Sequence, residues 1–158
     1  MMSATRFEDG GDVRSHVGKE VCVTDWMIIG QERIDLFAQA TGDFQWIHVD
    51  VERSAKSSPY GGTIAHGFLT LSLLGKFYED YLGYALPFCD MGINYGLNKV
   101  RFTSPVPADS RVQGRFVLSK VEEVTGGLQL TFVVTVAIEG QQKPALIAES
   151  LVRRFFKK

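Results

Sequence analysis

Asp43, His48 and Gly67 are the residues whose types and spacing could do chemistry in this chain. A carboxylate and an imidazole that converge on one water can both take a proton from it and deliver one, because a suitably tuned acid–base pair serves both transfers. Asp43 and His48 stand five residues apart, with Phe44, Gln45, Trp46 and Ile47 between them. Further on, Ala65-His66-Gly67 opens a long apolar run. If that run is helical, the Gly67 N–H lies in the first turn. Free N–H groups there carry partial positive charge and can hold an oxygen on which negative charge develops.

Each of these residues also has a plainer reading. Gly42-Asp43 alone is a helix stop followed by a turn acid, and a lone His48 is more often a hydrogen-bonded structural histidine. Found together ahead of Ala65-His66-Gly67 and a buried helix, they point to a site. His66 reads as a residue that caps or braces the helix start rather than one that reacts. Gln45 and Trp46 either shape a pocket or pack the loop. Ser72, on the helix beyond Gly67, either reaches the pocket or bonds a preceding carbonyl, and the second reading is preferred.

The elements that must position these groups can be read from periodicity. Residues 1–16 are polar and aperiodic, which suggests a loose or docked N-terminal arm. The run Lys19-Glu20-Val21-Cys22-Val23-Thr24-Asp25-Trp26-Met27-Ile28-Ile29 alternates like one strand. Ile34, Phe37, Ala38 and Thr41 have helical spacing over 31–41, and Gly42 stands where a glycine stops a helix. Asp43 and His48 then fall on irregular backbone. Asp50 is a natural N-cap for a short helix through Lys56.

Pro59 and Gly61-Gly62 make a loop, and a central helix is predicted over about residues 65–81. The first half of that helix is apolar nearly all round, with Ile64, Phe68, Leu69, Leu71, Leu73 and Leu74. Such a helix must be wrapped by something. Residues 82–97 read as loop leading into a strand. Residues 98–103, 111–121, 128–138 and 145–155 have strand character, separated by turn signals. One helix followed by long antiparallel strands is an α+β pattern in which a curved sheet wraps a central helix.

With 158 residues, the chain suits one domain with one core. A net charge of −1 gives no overall attraction to nucleic acid or anionic lipid, and the basic end at Arg153, Arg154, Lys157 and Lys158 reads as a solvated tail. The first twenty residues lack an apolar run, so a cytoplasmic location is expected. Residues 57–75 approach membrane-spanning length but contain Pro59 and four glycines, so a buried helix preceded by a loop is expected and not a membrane span. Cys22 and Cys89 lack metal or redox spacing, and His48, His66 and an aspartate lack the tight spacing of a metal motif.

Gly42, Asp43, His48, Asp50, Ile64, His66, Gly67 and Ser72 together resemble the signature of MaoC-like (R)-specific enoyl-CoA hydratases. Gln45-Trp46 stands where the commonest form has Asn-Pro. That pair, with Asn98-Lys99-Val100-Arg101-Phe102, is similar to the nodulation protein N-like subgroup. The resemblance implies the hot-dog fold, a dyad at Asp43 and His48, and an oxyanion donor at the Gly67 N–H. It also implies reversible hydration of a trans-2-enoyl thioester to the (R)-3-hydroxyacyl product. On this reading Asp43 helps deprotonate the water, while His48 positions it and delivers the Cα proton, with the assignment of base and acid between the two left open.

No cofactor is then expected beyond the CoA, or acyl carrier protein, that carries the substrate. Lys99 and Arg101 share one strand face, which either meets a CoA phosphate or is simply solvated. A homodimer joined along strand edges is expected. The rivals are a hot-dog thioesterase, for which the central helix has no carboxylate before Glu79, and an acyl-thioester binding module without turnover.

Overall fold

The structure, a computed structural model, describes residues 2–158. Its strands are β1 (Ser3–Ala4), β2 (Glu20–Val23), β3 (Met27–Ile29), β4 (Cys89–Phe102), β5 (Ser110–Val124), β6 (Gly127–Ile138) and β7 (Leu146–Phe156). Its helices are α1 (Gly10–Ser15), α2 (Gln31–Thr41), α3 (Trp46–Val49), α4 (Val51–Ser57) and α5 (Gly67–Ala85). One antiparallel sheet runs in the order β1-β2-β5-β6-β7-β4, with β3 also on β5. It packs against α5, giving the expected hot-dog architecture.

The core forms because α5 and the inner sheet face are both apolar. Leu69, Leu73, Phe77, Tyr81 and Leu82 of α5 are buried against Phe116 of β5 and Phe132, Val134 and Val136 of β6. The Phe116 ring meets Phe77 edge-on at 6.3 Å, Tyr78 at 5.4 Å and Phe132 at 6.0 Å, the T-shaped arrangement that aromatic quadrupoles favour. Among the described residues, no helix is long and apolar enough to cross a membrane.

Several element boundaries differ from the sequence-based expectation, each for a physical reason. The single strand expected before residue 30 is two, β2 and β3. Between them the Thr24 hydroxyl accepts the Gly114 N–H at 2.9 Å, a donor that an unbroken ladder would give to a carbonyl. Helix α5 starts at Gly67 because Ile64 bridges Pro107 and the Ala65 N–H donates to Val106, holding 64–65 extended. It runs on past Tyr81 because Leu82 and Ala85 continue its buried stripe.

Residues 89–97, within the stretch expected as loop leading into a strand, are already strand. Of the glycines that obscured it, Gly92 sits where a Cβ would collide with the Arg154 side chain, and Gly96 adjoins a register shift in an open stretch. The N-terminal arm is docked. Asp9 caps α1 by accepting the Gly11 and Asp12 N–H groups, and Phe7 and Val13 are buried.

Candidate active site

Gly42 ends α2 in the left-handed conformation, φ 77°, and its N–H returns to the Ala38 carbonyl. Glycine adopts this backbone without the penalty a side chain brings, so the chain turns sharply and releases Asp43. The Asp43 carboxylate accepts the Gln45 N–H at 3.3 Å. His48 then sits on α3, a single helical turn rather than the irregular backbone expected from sequence. Asp50 caps α4 as expected, accepting the Arg53 N–H at 2.9 Å.

Two contacts lock this turn to the stretch before α5. The Ile64 N–H donates to the Ile47 carbonyl at 3.0 Å, and His48 Nδ1–H donates to the Ile64 carbonyl at 2.7 Å. A carbonyl only accepts, so Nδ1 carries the proton, and Nε2 of the neutral ring is left with its lone pair. His48 is 7% exposed. Burial pushes its pKa below the ordinary imidazole range; the Ile64 bond and Asp43 oppose this, and His66 adds to it.

His48 and Gly67 line one cleft of about 290 Å³, together with Tyr60, Thr70, Phe102 and Ser104. Gly67 is the first residue of α5, so its N–H is among those without a partner inside the helix. A Cβ on Gly67 would stand 3.2 Å from the Phe102 ring, so glycine keeps this approach to the helix end open. Asp43 is exposed at the rim and does not line the cleft. One of its carboxylate oxygens, a His48 nitrogen and a His66 nitrogen nevertheless lie within 4.8 Å of one another. A single water bonded at about 2.8 Å on each side spans such a gap.

The same three residues suit a metal ion less well. The His48 and His66 rings are stacked, with centroids 3.8 Å apart and planes 28° from parallel. Two near-parallel rings set face to face are not the spread of ligands that a tetrahedral ion takes at about 2.0–2.1 Å.

The remaining sequence candidates fall elsewhere. His66 is the N-cap residue of α5, yet its side chain makes no capping bond; Nε2 instead reaches the Asp43 backbone carbonyl at 2.9 Å. Trp46 packs under the Arg53 guanidinium, 4.2 Å from ring centroid to carbon, and neither it nor Gln45 lines the cleft. Ser72 Oγ donates to the Leu69 carbonyl at 2.7 Å, the plainer of its two readings. Lys99 and Arg101 alternate with Phe102 on β4, so they take the sheet face opposite to the one that meets the cleft.

Sequence reasoning missed Gln31. Its Nε2 donates to the His48 carbonyl at 2.7 Å and to Asp35, while its Oε1 accepts the Thr63 hydroxyl at 2.5 Å. It thus ties the start of α2 to both walls of the site. Its partners lie 17 and 32 residues away, and nothing local in the sequence marks it.

A long helix against one antiparallel sheet defines a hot-dog protein, and here a buried histidine and the first residue of that helix line the same cleft. Residues 12–140 match the MaoC like domain, and the chain belongs to that family. It is 49% identical over 148 residues to 3-hydroxyacyl-thioester dehydratase Z of Mycobacterium tuberculosis (strain ATCC 25618 / H37Rv), covering 93% of this chain and 96% of that one. It is 51% identical over 139 residues to Nodulation protein N of Rhizobium leguminosarum bv. viciae, covering 87% and 85%. The (R)-hydratase from A. caviae superposes with a TM-score of 0.67 at 24% identity, over 86% of this chain and 94% of that one, a likeness of fold.

Gln31→Ala leaves the His48 carbonyl and the Thr63 hydroxyl without this partner. Unfolding in urea is expected to show a loss of about 1–3 kcal/mol, whereas a change within 0.5 kcal/mol, the range of ordinary surface substitutions, would show that the bridge carries no weight.

Proposed function

We propose that this protein is a hydro-lyase that reversibly adds water across a trans-2-enoyl thioester to give the (R)-3-hydroxyacyl thioester. CoA or acyl carrier protein would be the handle. The observation that carries this reading is the tautomer imposed on His48. With Nδ1–H held by Ile64, Nε2 is the proton acceptor available to the cleft shared with the Gly67 N–H. The relative named 3-hydroxyacyl-thioester dehydratase Z supports the reaction class, and the (R) outcome is the one the family resemblance implies.

In the hydration direction His48 Nε2 takes a proton from the water as its oxygen bonds to Cβ. The Cα–Cβ π electrons move toward the thioester, and the charge on its oxygen is held by the Gly67 N–H. The imidazolium then returns the proton to Cα, so one group serves both transfers. The Asp43 carboxylate orients the water through its second hydrogen and steadies the imidazolium. The expectation from sequence had Asp43 help deprotonate the water and left base and acid open between the two; this assignment makes His48 the base. Lowering the His48 pKa keeps the acceptor form present at neutral pH.

The partner is proposed to be a second copy of this chain, joined along β4. This fourteen-residue strand pairs with β7 on one side and, among the described residues, with nothing on the other. It exposes Met91, Ile93, Tyr95 and Leu97 at alternate positions. A long apolar edge left open is an aggregation hazard, and a two-fold related copy covers it.

With crotonyl-CoA, loss of enoyl-thioester absorbance without thiol release is expected, and Asp43→Asn and His48→Ala should each reduce it by about 10²-fold or more. Activity near wild type in both variants would remove the dyad; thiol release would indicate a thioesterase. The acid limb of kcat/KM is expected below the ordinary imidazole value of about 6.5, because the neutral ring is needed and acid must fall further to protonate it. A limb at or above that value contradicts the assignment. Light scattering should give twice the 17.6 kDa chain mass, and a monomer would overturn the paired edge.

A further inference from the structure

His66 touches every part of the machinery proposed above without lining the cleft. Its ring is 2% exposed, lies face to face with His48 and is flanked by Phe37, with centroids 5.1 Å apart. Its Nε2 donates to the Asp43 carbonyl, and the next residue in the chain is Gly67.

Packing alone does not explain an imidazole here. Nδ1 is buried with no hydrogen-bond partner among the described residues, which is unfavourable compared with an apolar ring of the same shape. The offsetting gain is the Nε2–H bond. Of the two bonds made by Asp43 oxygens, the carboxylate contact to the Gln45 N–H stays inside its own turn. The carbonyl contact to His66, 23 residues away, ties Asp43 to the helix start.

We propose that His66 is the positioning residue of the site. Its Nε2–H holds the Asp43 backbone, its ring face holds His48, and its place at the start of α5 sets both against the Gly67 N–H. This rests on the dyad reading above. His48 and His66 consequently carry their protons on opposite nitrogens, Nδ1 in His48 and Nε2 in His66, each fixed by a backbone carbonyl.

The test is steady-state hydration of crotonyl-CoA by the full chain carrying His66→Phe or His66→Gln, with thermal unfolding followed in parallel. Phenylalanine keeps the ring but has no donor, whereas glutamine restores an N–H at about the reach of Nε2. His66→Phe is expected to lower kcat about 10- to 100-fold with KM within about twofold, because misplacing a reacting group by about 1 Å can cost about 10²-fold. His66→Gln should recover most of that loss.

Equal loss in both variants, or none in His66→Phe, would overturn the proposal. Should both variants unfold, nitrogen NMR of the wild-type imidazoles decides. A His66 ring protonated on Nε2 supports the clamp, and protonation on Nδ1 alone rules it out. Retained activity in Asp43→Asn and His48→Ala would instead remove the underlying dyad, so the two failures are distinguishable.

Discussion

The hydrogen bond from His48 Nδ1–H to the Ile64 carbonyl, 2.7 Å long and buried, is the interaction on which the arrangement of the site depends. It joins two segments that the chain reaches separately: the turn after α2 and the extended stretch before α5. It also fixes the tautomer of the ring. By occupying one nitrogen it turns the other toward the cleft as an acceptor, and the desolvated surroundings keep that acceptor unprotonated. A histidine in the same place with a free ring could sample either tautomer and lose this bias.

Around that bond the structure gathers supports that do no chemistry themselves. Gln31 holds the His48 carbonyl and Thr63, so α2 cannot drift from the site. The Ile64–Pro107 bridge and the Ala65 to Val106 bond fix where α5 begins, and therefore where its free N–H groups lie. The sheet supplies the rest. Packing α5 against Phe116 and Phe132 leaves the helix little freedom to slide, so its first turn is presented at a constant place above the loop.

Much of this was legible from local pattern. The α2 helix and its glycine stop, the Asp50 cap, the strands after residue 98 and the buried character of α5 each follow from periodicity or capping within one element. The misreadings share a cause. The break at Thr24, the late start of α5 and the strand over 89–97 are all settled by partners in other elements: Gly114, Val106 and β7 respectively. Gln31 was invisible for the same reason.

The sequence by itself determined the chemical inventory and its rough order: a carboxylate, an imidazole, a glycine-led helix and the strands to wrap it. Those depend on residue type and short-range spacing, which a sequence displays directly. Only the tertiary structure decided which nitrogen of His48 faces the cleft and that Asp43 stands at the rim. It alone showed that Lys99 and Arg101 lie on the far face and that His66 reaches back to Asp43 instead of capping its own helix. Those outcomes rest on hydrogen bonds and burial between segments distant in the chain, and a carbonyl acceptor, which every residue carries, leaves no mark in the sequence.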